Sequence, residues 1–149
     1  MSGSRWWVLI GAILSGLAVG LGVFGTEGLD GLFARKYENL EVQSAGVVVA
    51  RSQMHLDQFQ TAALYQLIHG LALVALGVLP STRTKTWSCL AGCSFLAGTV
   101  LFSGGRYVQT TTGLDWLGVA IPVGAALLIV GWLALGLAAL QKTERAVMP

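Results

Sequence analysis

Four long apolar stretches constrain the fold of this chain more than any other feature of its sequence. A helix needs about 20 mainly apolar residues to cross the hydrocarbon of a bilayer. Such stretches occupy residues 6–24, 59–79, 87–103 and 117–140. Only 11% of the residues are charged, against about 25% in a typical soluble domain. The sequence therefore predicts an all-α integral membrane protein, built as a bundle of four transmembrane helices.

The 149 residues are predicted to form a single membrane domain, 1–149. A β-barrel is disfavoured because its strands alternate between polar and apolar residues, whereas these apolar runs are continuous. The formal net charge is +2 and the basic residues are scattered, so the sequence indicates no nucleic-acid partner. The predicted partners are the lipid bilayer and other membrane protein subunits.

The ends and the orientation of the spans follow from local residues. The pair Gly104-Gly105 predicts a turn at the end of the short third span, and Pro122 is expected near the start of the fourth. Four spans place both termini on one side of the membrane. Five basic residues lie on that side and four on the other, a bias that favours cytoplasmic termini. The five are Arg5, Arg83, Lys85, Lys142 and Arg145, and the four are Arg35, Lys36, Arg51 and Arg106.

A long polar segment, residues 25–58, connects the first two spans. Leu29, Leu32, Phe33 and Leu40 recur in it at helical spacing, with charged residues between them. This pattern predicts a short amphipathic helix that lies in the membrane interface. The segment is interpreted either as a cover over the helix ends or as a docking surface for another protein.

Small residues recur at four-residue intervals in the spans. Ala12, Gly16 and Gly20 form such a set in the first span. Cys89, Cys93 and Ala97 form another in the third span, which also contains Gly98, and Gly124 belongs to a set in the fourth. Close packing of small residues favours helix association in lipid, so these sets predict a tight bundle. The two cysteines are expected to be free thiols, because residues four apart on a helix are poorly oriented for a disulfide.

Polar side chains inside the spans are the candidate functional residues. His69 lies near the middle of the second span, with Tyr65 one turn before it and Gln66 beside it. Ionisable groups at this depth are costly and usually face the bundle interior. Two interpretations stay open: a neutral histidine hydrogen-bonded to another helix, or a binding site for a ligand, metal or cofactor. One form of the binding-site interpretation is a metal site that combines His69 with Cys89 and Cys93. The sequence itself predicts no particular metal or cofactor.

Two charged residues near span ends form a second candidate. Glu27 follows the first span and Arg106 follows the third, on the same side of the membrane. The sequence therefore suggests an interfacial ion pair between them.

Sequence motifs for nucleotide binding, covalent catalysis or zinc binding do not occur. The chain is accordingly not expected to be an enzyme. The predicted function is that of a non-catalytic accessory subunit that packs against a larger membrane protein complex. The alternative is a protein that binds a lipid-soluble cofactor, small ligand or metal through the polar residues around His69. A transporter is disfavoured, because the spans contain no charged residue.

Several blocks of this sequence are similar to those of a known family. They read GAILSGLAVGLGVFGTEGL from Gly11, FQTAALYQLIHGLALVALG from Phe59 and FLAGTVLFSGGRY from Phe95, followed by IPVG and GW. In their order and spacing they resemble the domain of unknown function 423 family, the YgdD-like small membrane proteins related to transmembrane protein 256. The resemblance covers nearly the whole chain. It implies about four spans in a bacterial cytoplasmic (inner) membrane and no assigned activity.

Two features of this chain depart from the family pattern. The family usually has FGAHGL where this chain has FGTEGL, so Glu27 replaces a histidine. The segment before Phe59 is also longer than in the family, which suggests a docking element specific to this lineage.

Overall fold

The computed structural model describes residues 3–44, 46–79 and 85–140, which form mainly helices. In hydrocarbon every backbone amide must be hydrogen-bonded within the protein, and a helix satisfies this requirement locally. The elements in chain order are α1 (Gly3–Glu27), α2 (Asp30–Lys36), β1 (Glu41–Ser44), β2 (Val47–Ala50), α3 (Arg51–Val78), α4 (Lys85–Thr99), a π-helical turn (Val100–Gly104), α5 (Gly105–Thr112), a 3₁₀ turn (Asp115–Val119) and α6 (Ala120–Leu140).

Four helical segments are long and apolar enough to cross a membrane, which confirms the predicted architecture. They comprise Arg5–Glu27, Arg51–Val78, Thr86–Thr112 and Ala120–Leu140. The third is a composite of α4, the π-helical turn and α5. Pro122 lies in the first turn of α6, where a proline costs little because first-turn amides lack helical partners.

The third span does not end at Gly104-Gly105, in contrast to the turn that the sequence suggested. Both glycines have helical backbone angles, with φ of −60° at Gly104 and −58° at Gly105. The chain continues as α5 and ends at Gly113, whose φ of +81° gives the left-handed conformation typical of a helix C-terminus. Gly105 was misleading because helix packing, not a turn, favours a small residue there, whereas Gly104 has no described residue of a neighbouring helix within 4 Å of a Cβ atom. A Cβ atom on Gly105 would lie 3.2 Å from the Ile121 side chain.

The helices pack in two close pairs, α1 with α3 and α4 with α6. In the first pair, a Cβ atom on Gly11 would lie 2.5 Å from the carbonyl oxygen of Gly70. In the second pair, a Cβ atom on Gly124 would lie 2.5 Å from the amide nitrogen of Phe102 and 3.0 Å from the oxygen of Gly98. Glycine at these positions lets the backbones touch, and such close packing stabilises helices in lipid.

An apolar core lies where the two pairs meet. Its fully buried members include Leu73, Ala91 and Phe95, and its edge includes Trp7 of α1. The Trp7 ring lies against Gly92, where a Cβ atom would be only 2.6 Å from it. Residues of α1, α3, α4 and α6 therefore meet in one continuous core.

The segment between the first two spans contains defined structure. Within the sequence predicted to be amphipathic, α2 forms, and Leu29 and Phe33 are buried against α3 while Leu32 and Leu40 are exposed. An antiparallel hairpin follows, in which Glu41 pairs with Ala50 and Gly46 adopts a φ of +83° in the turn. Helix α3 then begins at Arg51, well before its apolar stretch.

This segment covers the C-terminal end of α5. Lys36 Nζ donates a 2.6 Å hydrogen bond to the carbonyl oxygen of Thr111, and Tyr37 Oη donates one of 3.2 Å to that of Thr110. Carbonyl groups at a helix C-terminus lack helical partners and attract positive charge. The ring of Tyr37 also stacks on His55 of α3, with centroids 4.4 Å apart. These contacts hold the segment against the end of α5, while its role as a cover or as a docking surface stays a prediction.

Some of the small residues predicted to pack inside the bundle face outward. Ala12, Gly16 and Gly20 of α1 are exposed, as are Cys89 and Cys93 of α4. Both cysteines are free, with sulfur atoms 3.9 Å apart. The four-residue spacing identified a common face correctly in each case, but spacing alone does not say which face of a helix its own bundle covers.

Candidate functional site

His69 lies in the bundle interior, where only 4% of its surface is exposed. Its Nδ1 atom is 2.7 Å from the carbonyl oxygen of Tyr65, one turn earlier on α3. Its Nε2 atom is 3.2 Å from Nε1 of Trp132 on α6. The imidazole also contacts the Phe95 ring, at a centroid distance of 5.7 Å. Residues of three helices therefore surround this histidine.

The hydrogen bonds of His69 define its protonation. An indole N–H can only donate, so Nε2 of His69 accepts the bond from Trp132. The proton of a neutral imidazole is then on Nδ1, which donates to the Tyr65 carbonyl. Both ring nitrogens are occupied, and neither is available to a metal or a ligand in this arrangement. The histidine thus links α3 to α6.

The three polar residues predicted to act together point in different directions. Gln66 is buried, and its Nε2 donates a 2.9 Å hydrogen bond to the carbonyl oxygen of Leu14 in α1. Tyr65 is 40% exposed, and its ring contacts that of Phe102 at 4.8 Å. Only Tyr65 and His69 remain neighbours, with ring centroids 6.0 Å apart. Tyr65, Gln66 and His69 therefore do not line one pocket.

A third polar contact between helices involves a residue that sequence analysis missed. Ser103, in the π-helical turn, donates a 2.9 Å hydrogen bond to the carbonyl oxygen of Ala62 in α3. Trp132 was also missed as a partner of His69. Its position deep in the fourth span was a usable signal, because tryptophans of membrane proteins concentrate at the interfaces and a buried indole N–H needs an acceptor.

The predicted ion pair between Glu27 and Arg106 does not form. Glu27 is exposed at the end of α1, which packs along α3. Arg106 Nη1 instead donates to Oε1 of Gln109 on its own helix, at 3.4 Å. Helix ends on the same side of a bundle do not by themselves bring two side chains together.

Arg106 lines a cavity that the sequence did not indicate. Its volume is about 370 Å³, and it lies between β2, α3 and the third span. Two groups of opposite charge, Asp57 and Arg106, are part of its wall. The remaining lining residues are Val49, Gln53, Met54, Gln58, Thr61 and Phe102.

Within residues 3–44, 46–79 and 85–140, no three histidine, cysteine or acidic side chains converge as metal ligands would. In particular, Cys89 and Cys93 are exposed whereas His69 is buried, so these three do not form the metal site considered above. Gln66, His69 and Ser103 instead each form a hydrogen bond with a neighbouring helix.

Comparison with known proteins finds similar membrane proteins in bacteria. The family model described as "Protein of unknown function (DUF423)" matches residues 21–125. A UPF0382 membrane protein of Staphylococcus aureus is 32% identical over 133 residues, which cover 88% of this chain and 92% of the relative. The UPF0382 membrane protein YwdK of Bacillus subtilis is 32% identical over 136 residues, which cover 91% and 96% respectively. No solved structure is significantly similar to the chain.

Proposed function

We propose that this chain, which belongs to the family described as "Protein of unknown function (DUF423)", is a non-catalytic accessory subunit. In this role it packs against a larger membrane protein. The observation that supports this role is the outward face of α1, defined by Ala12, Gly16 and Gly20. All three residues are exposed, and no described residue of another helix lies within 4 Å of a Cβ atom placed on either glycine.

Helix α1 contributes less to the bundle interior than the other spans do. Only 17% of the 18 most apolar consecutive residues of α1 are buried, against 50% of the corresponding residues of α3. A glycine inside a helix costs roughly 0.5–1 kcal/mol relative to alanine. Gly11 offsets this cost through its close contact with α3, whereas Gly16 and Gly20 have no such contact. A helix of another protein that packs on this face would explain both glycines.

The same geometry disfavours the alternative function, binding through the polar residues around His69. A ligand at that position would have to displace either the Trp132 indole or the Tyr65 carbonyl from the imidazole. Gln66 and Ser103 are likewise engaged in hydrogen bonds to neighbouring helices. The supporting role of these side chains is structural, and the proposal assigns them no part in a reaction.

The proposal predicts that bulky residues on the outward face of α1 disrupt a complex without unfolding the chain. The double variant Gly16→Leu/Gly20→Leu places two large side chains where the bundle itself has open space. In mild detergent extracts of the native host, we expect wild type to migrate with a larger membrane protein on a native gel. The double variant should migrate as the free chain. Gly136→Leu, on α6 and equally free of neighbours, is the matched control and should leave the complex intact.

Two results would contradict the accessory role. One is wild type that migrates as the free chain after gentle extraction. The other is purified wild type that forms the large species without any second protein, which would identify a homo-oligomer. The thermal midpoint of each variant in detergent shows whether the bundle itself is intact, so a loss of the complex can be separated from a loss of fold.

We further infer that the protein resides in the bacterial cytoplasmic membrane with both termini in the cytoplasm. The inference is supported by the bacterial relatives, which are named membrane proteins, and by the charge bias of the sequence. Of the basic residues that give the bias, Arg83, Lys142 and Arg145 lie outside the described residues. A cysteine at Gln43, in the exposed hairpin, should react with a membrane-impermeant maleimide in intact cells once Cys89 and Cys93 are replaced by serine. Labelling only after permeabilisation would show that the hairpin lies in the cytoplasm and that both termini lie outside it.

A further inference from the structure

The cavity between the hairpin and the third span has two groups of opposite charge in its wall, Asp57 and Arg106. We propose that it binds a zwitterionic aminophospholipid, with the phosphate at Arg106 and the ammonium group at Asp57. Its volume of about 370 Å³ is within the range of small-molecule sites, roughly 300–1,000 Å³. This inference goes beyond the accessory role and does not depend on the outward face of α1.

The position of the cavity along the spans suits a headgroup. Its outer wall includes Val49 of the hairpin and Gln53 in the first turn of α3, which precedes the apolar stretch of that helix. Its inner wall includes Phe102, one turn deeper in the third span than Arg106. One helical turn corresponds to about 5.4 Å along the axis. The cavity therefore extends from the interface toward the hydrocarbon, as a glycerophosphate with its first methylene groups does.

Each of the two charged groups has unused hydrogen-bonding capacity. A guanidinium has five N–H donors, and among the described residues Arg106 uses one of them, in a long bond of 3.4 Å to Gln109. Asp57 Oδ1 accepts a 2.9 Å bond from Nε2 of Gln53. No ion pair joins Asp57 to Arg106 in the described part of the chain. A ligand that has a phosphate and an ammonium group can satisfy both residues at once.

The chemistry of the two charges favours an aminophospholipid over other lipids. Arginine binds phosphate oxygens through charge-assisted, often paired hydrogen bonds. A primary ammonium group donates hydrogen bonds to a carboxylate, whereas the quaternary ammonium of a choline lipid has no N–H to donate. An anionic lipid without an ammonium group would leave Asp57 unpaired and close to a second negative charge. The apolar side chains of Met54 and Phe102 can contact the glycerol and the start of the acyl chains.

Native mass spectrometry of the purified chain tests the proposal. Dioleoyl phosphatidylethanolamine, phosphatidylglycerol and phosphatidylcholine are added separately to the delipidated protein in detergent. We expect one phosphatidylethanolamine per chain, with about tenfold weaker retention of the other two lipids.

Removal of charge-assisted hydrogen bonds weakens binding by roughly tenfold or more. Arg106→Gln should therefore weaken phosphatidylethanolamine binding by at least that factor. Arg35→Gln, a basic residue exposed on the same side of the membrane but outside the cavity, is the matched control and should bind as wild type does.

A second variant distinguishes the contribution of Asp57 to lipid binding from that of Arg106. Asp57→Asn removes the partner of the ammonium group, so the preference for phosphatidylethanolamine over phosphatidylglycerol should disappear while the phosphate contact remains. Equal retention of all three lipids by wild type would overturn the proposal, and so would unchanged binding in both cavity variants. Displacement of the bound lipid by inorganic phosphate alone would identify a free phosphate site and overturn the lipid assignment. If Arg106→Gln does not fold, Asp57→Asn decides alone. An unchanged preference for phosphatidylethanolamine over phosphatidylglycerol in that variant would overturn the proposal.

Discussion

Phe95→Ala is expected to destabilise the folded bundle by about 3 kcal/mol. The Phe95 ring is fully buried, and it lies edge-on to the Trp132 ring at a centroid distance of 5.2 Å. It also fills the space in front of Gly131, where a Cβ atom would be only 2.6 Å from it. Its removal leaves a cavity at the junction of α3, α4 and α6, and the surrounding atoms lose their dispersion contacts.

Unfolding of the purified chain by sodium dodecyl sulfate, in mixed micelles and followed by tryptophan fluorescence, measures this loss. Phe24→Ala is the matched control, because 51% of the Phe24 surface is exposed on the outside of α1. We expect the control to change the free energy of unfolding by less than about 1 kcal/mol. Equal losses for both variants would show that Phe95 is not at the centre of the packed bundle.

Gly11→Ala should destabilise the bundle by about 1–3 kcal/mol, through overpacking of α1 against α3. The added methyl group would lie 2.5 Å from the Gly70 carbonyl oxygen and 2.8 Å from the Val74 amide nitrogen. Both contacts are with backbone atoms, which cannot move without a shift of the whole helix. Alanine is otherwise the better helix former, so the sign of the effect comes from the close approach alone.

Gly16→Ala is the control for this prediction on the same helix. No described residue of another helix lies within 4 Å of the added methyl group, so stability should be unchanged or rise by up to about 1 kcal/mol. The two variants are compared by the same unfolding measurement. Destabilisation of the isolated chain by Gly16→Ala, or tolerance of Gly11→Ala, would contradict the arrangement of α1 on α3.

Hydropathy was sufficient to find the four spans but not the ends of their helices. The apolar stretch of the second span begins at Phe59, yet α3 begins at Arg51. Hydropathy records which residues prefer hydrocarbon, while a helix can continue into the polar interface with Gln53 and Asp57 on its surface. The hairpin before α3 was missed for a related reason. Val47, Val48 and Val49 form a short apolar run after Gly46, and consecutive β-branched residues beside a glycine indicate a strand and turn.

The candidate site was predictable in its residues and not in its contacts. An ionisable side chain at mid-membrane marked His69 as unusual, but its partner Trp132 is 63 positions away in the sequence. Nothing in the spacing along one helix determines how a second helix is rotated against it. The cavity beside Arg106 was unpredictable on the same grounds, because its walls come from a strand and from two spans that are distant in sequence.

The π-helical turn at Val100–Gly104 has a consequence for how the third span interacts with its surroundings. A π-helical turn contains one residue more than an α-helical turn, so it rotates all later side chains about the helix axis. The half before it is directed mainly to α6, and the half after it mainly to α3. The third span is therefore one continuous helical segment in which α4 and α5 direct their packing surfaces to different neighbours. Sequence change in the apolar half and in the polar half can proceed independently, as long as the chain length between them is kept.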